Sequence, residues 1–152
     1  MGSKALFSLA AFSVVACGVG LVFPSMAHTE RGRSPYREIS PQEFEQRFFT
    51  TQLPPHLSDD ALYSIAIAVF GRYTGEREGR QSESIEIKYD QEGGAIATIT
   101  AIGLADDSVG AVRMRLDFMR DNELGWQLVW VGTQQQCHRG RGNQNWTAAP
   151  CP

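Results

Sequence analysis

From Ser84 to Val131 apolar side chains recur at every second position, and the interruptions have the length of turns. Ile85, Ile87 and Tyr89 alternate with Glu86 and Lys88. Val112, Met114, Leu116 and Phe118 alternate with Arg113, Arg115 and Asp117. This period puts one face of a strand in a core and the other in water. Between them, Ala95 to Ile102 is apolar on both faces, and Trp126 to Val131 closes the series. Gln91–Gly94, Gly103–Ser108 and Asp121–Gly125 are the connections. Parallel strands need a crossover of a dozen or more residues, so these connections predict four antiparallel strands in a meander. Trp126 and Trp130 fall on one face of the fourth strand with Leu128 between them, a pattern expected of core residues under a helix.

Two helices precede the meander. Ser40-Pro41-Gln42-Glu43 is a capping box with proline at the first helical position, and it predicts a short helix to about Phe49 with Phe44 and Phe48 turned inward. Ser58 followed by Asp59 and Asp60 marks the start of the main helix. Its apolar stripe is Leu62, Ile65, Ala66, Val69, Phe70 and Tyr73, wide enough to face a sheet. The fold class that follows is α+β, one main helix plus a short one packed on a four-stranded antiparallel sheet. Cystatin-like and NTF2-like folds use related layouts, in which sheet and helix can enclose a pocket. That is a likeness of fold and carries no function.

The first 27 residues stand apart. Lys4 is the only charge before Glu30, Ala5 to Phe23 is apolar, and Ser25-Met26-Ala27 offers small residues at a cleavage position. This is the pattern of a secretory signal peptide cut after Ala27. Two alternatives stay open. Val14-Val15-Ala16-Cys17 resembles a lipobox that would lipidate Cys17, and about 20 apolar residues can serve as an uncleaved membrane anchor. Each places the domain outside the cytoplasm, in the periplasm, secreted or held at a membrane. Residues 28–39, polar and rich in arginine, read as a flexible tether, and 40–152 as one domain. Without Lys4, thirteen bases face seventeen acids, a net charge of −4. An acidic exported chain is no partner for nucleic acid, because counterion release needs an excess of basic charge.

Loss or lipidation of Cys17 leaves Cys137 and Cys151, which an oxidising compartment would join. The segment between them, with Gly140, Gly142 and Pro150, has no period and is expected to be a stapled structural tail, with Trp146 laid on the domain. The spacing excludes a CxxC redox pair, and His138 alone supplies too few ligands for zinc. Arg139 and Arg141 are candidates for anion binding, or for pairing with local acids. Asp106 and Asp107 suggest calcium or acid–base work at first sight. Two ligands are too few for a calcium loop, and Asp and Ser commonly stabilise turns through their own backbone. An ion pair between this loop and the Arg139/Arg141 tail is a further expectation. No nucleophile elbow, phosphate loop, zinc-protease helix or dinucleotide fingerprint is present, so no catalytic residue, metal or cofactor is expected.

Leu104, Asp106-Asp107-Ser108-Val109, Gly125-Trp126, Trp130 and Gly132 precede Cys137-x-x-Gly140-Arg141-Gly142-x-Gln144-x-Trp146 and Cys151. Over residues 58–152 this pattern resembles a group of uncharacterised small exported bacterial proteins, often lipoproteins. The resemblance implies export and the disulfide, and it supplies no reaction. The leading expectation is therefore a non-catalytic extracytoplasmic binding or envelope-associated module, with Asp106, Asp107, Arg139, Arg141 and Trp146 as candidate contacts for an unidentified protein or small molecule. The alternative is a small-ligand pocket protein or enzyme of NTF2-like type, with a cavity between helix and sheet.

Overall fold

The computed structural model describes residues 32–73 and 77–152. The expected signal peptide, Cys17 and the first part of the tether lie outside them. The described elements are β1 (Arg37–Ile39), α1 (Pro41–Phe48), α2 (Ala61–Tyr73), β2 (Ser82–Tyr89), β3 (Gly94–Ile102), β4 (Val109–Asp121) and β5 (Gly125–Cys137). The class is α+β, with both helices on one face of an antiparallel sheet ordered β1-β5-β4-β3-β2. Among the described residues no helix is long and apolar enough to cross a membrane.

The core is what the alternation requires. Phe44, Phe48, Leu62, Ile65, Ala66 and Val69 of the helices pack on Ala97, Ile99, Met114, Leu116 and Phe118 of the sheet. Short side chains at Ala95 and Ala97 let α2 approach the strand beneath it, and both are buried. Ser40 caps α1 as its sequence predicts, accepting from the Glu43 amide at 3.1 Å. α2 begins at Ala61, later than Ser58 and the two acids suggest. Asp59 is drawn off by tertiary partners: it accepts from the Trp126 indole at 2.7 Å and pairs with Arg120.

Three expectations need correction. The sheet has five strands, because Arg37–Ile39 adds to the edge of β5 with Arg37 opposite Thr133 and Ile39 opposite Val131. For the same reason residues 32–39 are not a tether. Arg33 reaches the sheet and bonds Asp117 at 2.7 Å, and Tyr36 sets its ring edge-on to Trp130 at 5.8 Å. Three-residue strands have no periodic signal, and this one is fixed by contacts about 90 positions away.

The third correction concerns the tryptophans, which lie on opposite faces. The register slips between Asp117 and Phe118, so that Leu128 faces Phe118 while Trp130 faces Asp117. Val129 is the extra residue of a β-bulge, and a bulge reverses the alternation beyond it. Trp126 therefore joins the helix-side core, and Val131 returns to it. Trp130 is turned to the outer face, where it is nonetheless buried. Its ring lies over Gly132, where a Cβ would collide with the indole. Arg33 and Arg115 stack on it with guanidinium carbons 5.0 and 5.6 Å from the ring centroid. Asp117, fully buried, accepts from Arg115 on both oxygens, at 2.6 Å on Oδ1 and 3.1 Å on Oδ2, and from Arg33 on Oδ2 at 2.7 Å. This cluster ties the N-terminal segment to the sheet.

Candidate functional site

The tail is a staple. Cys137, the last residue of β5, is bonded to Cys151 with Cα atoms 5.5 Å apart. Such a bond is compatible with an oxidising compartment. Thr147 exchanges both backbone hydrogen bonds with Gln135 at 2.9 and 3.0 Å, so the tail prolongs the sheet edge beyond β1. Trp146 is half-buried against Arg113, whose guanidinium carbon stands 4.1 Å from the ring centroid. Cys137 and Cys151 thus have a structural part, and Trp146 covers an arginine.

The acidic loop is a turn. Asp106 accepts from the amides of Ser108 and Val109 at 2.8 and 2.6 Å. These bonds, the Val109 amide first, hold its carboxyl below the usual aspartate range, with a smaller contribution from His138. Asp107 is exposed. Loop and tail do meet, through Ser108: its carbonyl accepts from the His138 amide at 2.8 Å and its hydroxyl donates to the Pro152 carbonyl at 2.6 Å. The expected ion pair is not formed, for the described Asp106 and Asp107 take no arginine partner. Arg139 and Arg141 are exposed. The structure does not gather these residues into one site. Among the described residues no group of three or more His, Cys, Asp or Glu could hold a metal ion.

A different set of residues converges. A helix of 13 residues spans about 20 Å, whereas a strand of 13 spans about 43 Å, so β4 and β5 overhang α2. Beyond the helix ends the inner sheet face is only half covered at Val112 and Gln135, with Thr133 buried beside them. A cleft of about 310 Å³ opens there, walled by Phe48, Tyr73 and, on the tail side, Thr147 and Ala148. Arg37 from β1, Arg47 from α1 and Arg72 from α2 also line it. Among the described residues none of these three arginines has a carboxylate partner. Arg72 is aimed by donating to the Phe48 carbonyl at 2.7 Å, and Arg47 lies over the Phe48 ring at 5.5 Å.

Tyr73 shows the character of the site. Burial raises its phenol to about 12, against the opposing pull of Arg47 and Arg37. The hydroxyl therefore stays a neutral donor at any physiological pH. An absorbance titration of the four tyrosines is expected to show one ionising only near pH 12, and Tyr73→Phe should remove that late step. Because the folded value lies above the unfolded one, the associated stability is present below about pH 10 and is lost as pH rises through 12. A titration with no late step would refute the burial of this hydroxyl.

Sequence reasoning passed over this cleft. Arg37 lay in the supposed tether, and Arg47 and Arg72 were ordinary helix-end cations. The available signal was compositional: after residue 27 the chain carries twelve arginines and a single lysine, Lys88. No family model, curated protein or solved structure matches the chain, so the chemistry of the site rests on its own geometry.

Proposed function

We propose that the chain is an exported, non-catalytic binding module that takes its ligand in the cleft between the helix ends and the sheet. The lining carries this reading. Among the described residues it offers guanidinium, hydroxyl and amide groups, and no carboxylate, imidazole or thiol positioned to move a proton. Export is supported by the signal-peptide pattern of residues 1–27 and by the Cys137–Cys151 bond. Lipidation of Cys17, or retention of the apolar segment, would make the module envelope-associated. The helix-over-sheet layout supports the likeness to cystatin-like and NTF2-like architectures. The alternative of a small-ligand protein or enzyme of NTF2-like type places its ligand in the same cleft, where an enzyme would need an acid or base from the ligand itself.

Mass spectrometry of the product recovered from a bacterial envelope fraction tests both halves. Under denaturing, non-reducing conditions the expected chain begins at His28 and is two hydrogens light. Under native conditions a retained small molecule should be lost on Arg47→Glu. Cytoplasmic retention with both thiols free would overturn the export reading. A retained ligand indifferent to Arg47→Glu would overturn the cleft as its site.

A further inference from the structure

We infer that the cleft is a site for a phosphate monoester, with the phosphoryl group at the arginines and the organic body against Val112 and Ala148. The inference rests on the reading of the cleft as a ligand site and names the ligand's chemistry. Three positive charges face one opening, and among the described residues no carboxylate on its lining neutralises them. The nearby acids point elsewhere. Glu38 pairs with Gly132 and so belongs to the outer sheet face, and Glu45 lines a separate cleft with Gln42 and Gln46. An uncompensated cluster of this kind is stabilised by an incoming anion, and each charge-assisted bond from a guanidinium is roughly twice as strong as a neutral one.

The number of donors selects among anions. Guanidiniums of Arg37, Arg47 and Arg72 are joined by the hydroxyls of Tyr73 and Thr147, and together these donors exceed the roughly four acceptor positions of one carboxylate. A phosphoryl group has three terminal oxygens and a charge of about −1.5 to −2 at neutral pH, enough to offset up to two of the three cations. Its oxygens accept from arginine in the paired geometry that guanidinium favours. The volume then decides between a bare ion and an ester. About 310 Å³ lies at the lower end of small-molecule sites. A lone phosphate would leave most of it empty, and the half-buried Val112 and Ala148 side chains supply an apolar surface for a short body.

Isothermal titration of the full chain, as recovered with its disulfide, tests this with phenyl phosphate, inorganic phosphate, citrate and benzoate as probes. Phenyl phosphate is expected to bind one per chain, more tightly than inorganic phosphate and at least tenfold more tightly than citrate or benzoate. Arg47→Gln and Arg37→Gln, both at exposed positions, should each weaken it about tenfold to a hundredfold, with circular dichroism unchanged. Arg139→Gln and Arg141→Gln in the tail should leave it unaltered. Saturable binding that survives the cleft substitutions would overturn the assignment. So would tighter binding of citrate or benzoate, although the cleft would remain a ligand site. Absence of phenyl phosphate binding, together with a neutral molecule retained in the cleft, would sink the phosphoryl inference and leave the binding-module reading intact. If neither probe nor retained molecule occupies the cleft, both fail.

Discussion

Asp117→Ala is expected to destabilise the protein by about 3–5 kcal/mol, the largest effect of any single substitution anticipated here. Asp117 is fully buried and its two oxygens hold Arg115 at 2.6 Å and Arg33 at 2.7 Å. Removing the carboxylate takes from the Arg115 guanidinium, itself 7% exposed, the two bonds that Asp117 accepts from it on the outer sheet face. It also frees the Arg33 anchor, so residues 32–36 lose their hold on Trp130. Arg33→Ala should be milder because that side chain is 21% exposed and water can replace part of the bond. Urea unfolding measures both. The midpoint of Asp117→Ala should fall steeply, and a loss below about 1 kcal/mol would mean that the buried pair contributes little beyond its own desolvation.

Reduction of the Cys137–Cys151 bond, or Cys137→Ser with Cys151→Ser, should cost about 3 kcal/mol in the chain-entropy account of a loop this size. The structural consequence is specific to the cleft. Thr147 and Ala148 form its tail-side wall, and the wall is carried by the backbone pair between Thr147 and Gln135. The segment from His138 to Pro150 has no regular helix or strand to hold it by itself. Hydrogen exchange at the Thr147 and Gln135 amides should therefore accelerate in the reduced protein, while the β3 and β4 amides stay protected. Unchanged protection at Thr147 would show that packing of Trp146 on Arg113, and not the disulfide, holds the wall.

The turn chemistry and the core were legible because each is local. Ser40 capping the Glu43 amide, Asp106 taking the Ser108 and Val109 amides, and Leu62, Ile65, Ala66 and Val69 sharing one helix face follow from spacing alone. The faces of Trp126 and Trp130 were not, since one inserted residue, Val129, exchanges them, and a bulge leaves no mark in hydrophobic alternation. The candidate site was the least legible part. Arg37, Arg47 and Arg72 come from three elements, and each alone is an ordinary exposed cation.

By itself, then, the sequence determined an α+β domain with two helices ahead of an antiparallel meander, and a tail closed by two cysteines, because period, caps and cysteine parity act over a few residues or through chemistry that needs no geometry. Only the tertiary structure decided that Arg37–Ile39 is a fifth strand, that Asp117 is the anchor of the outer face, and that three arginines share one opening. Those features depend on pairing between residues scores of positions apart, and on how far 13-residue strands outrun a 13-residue helix.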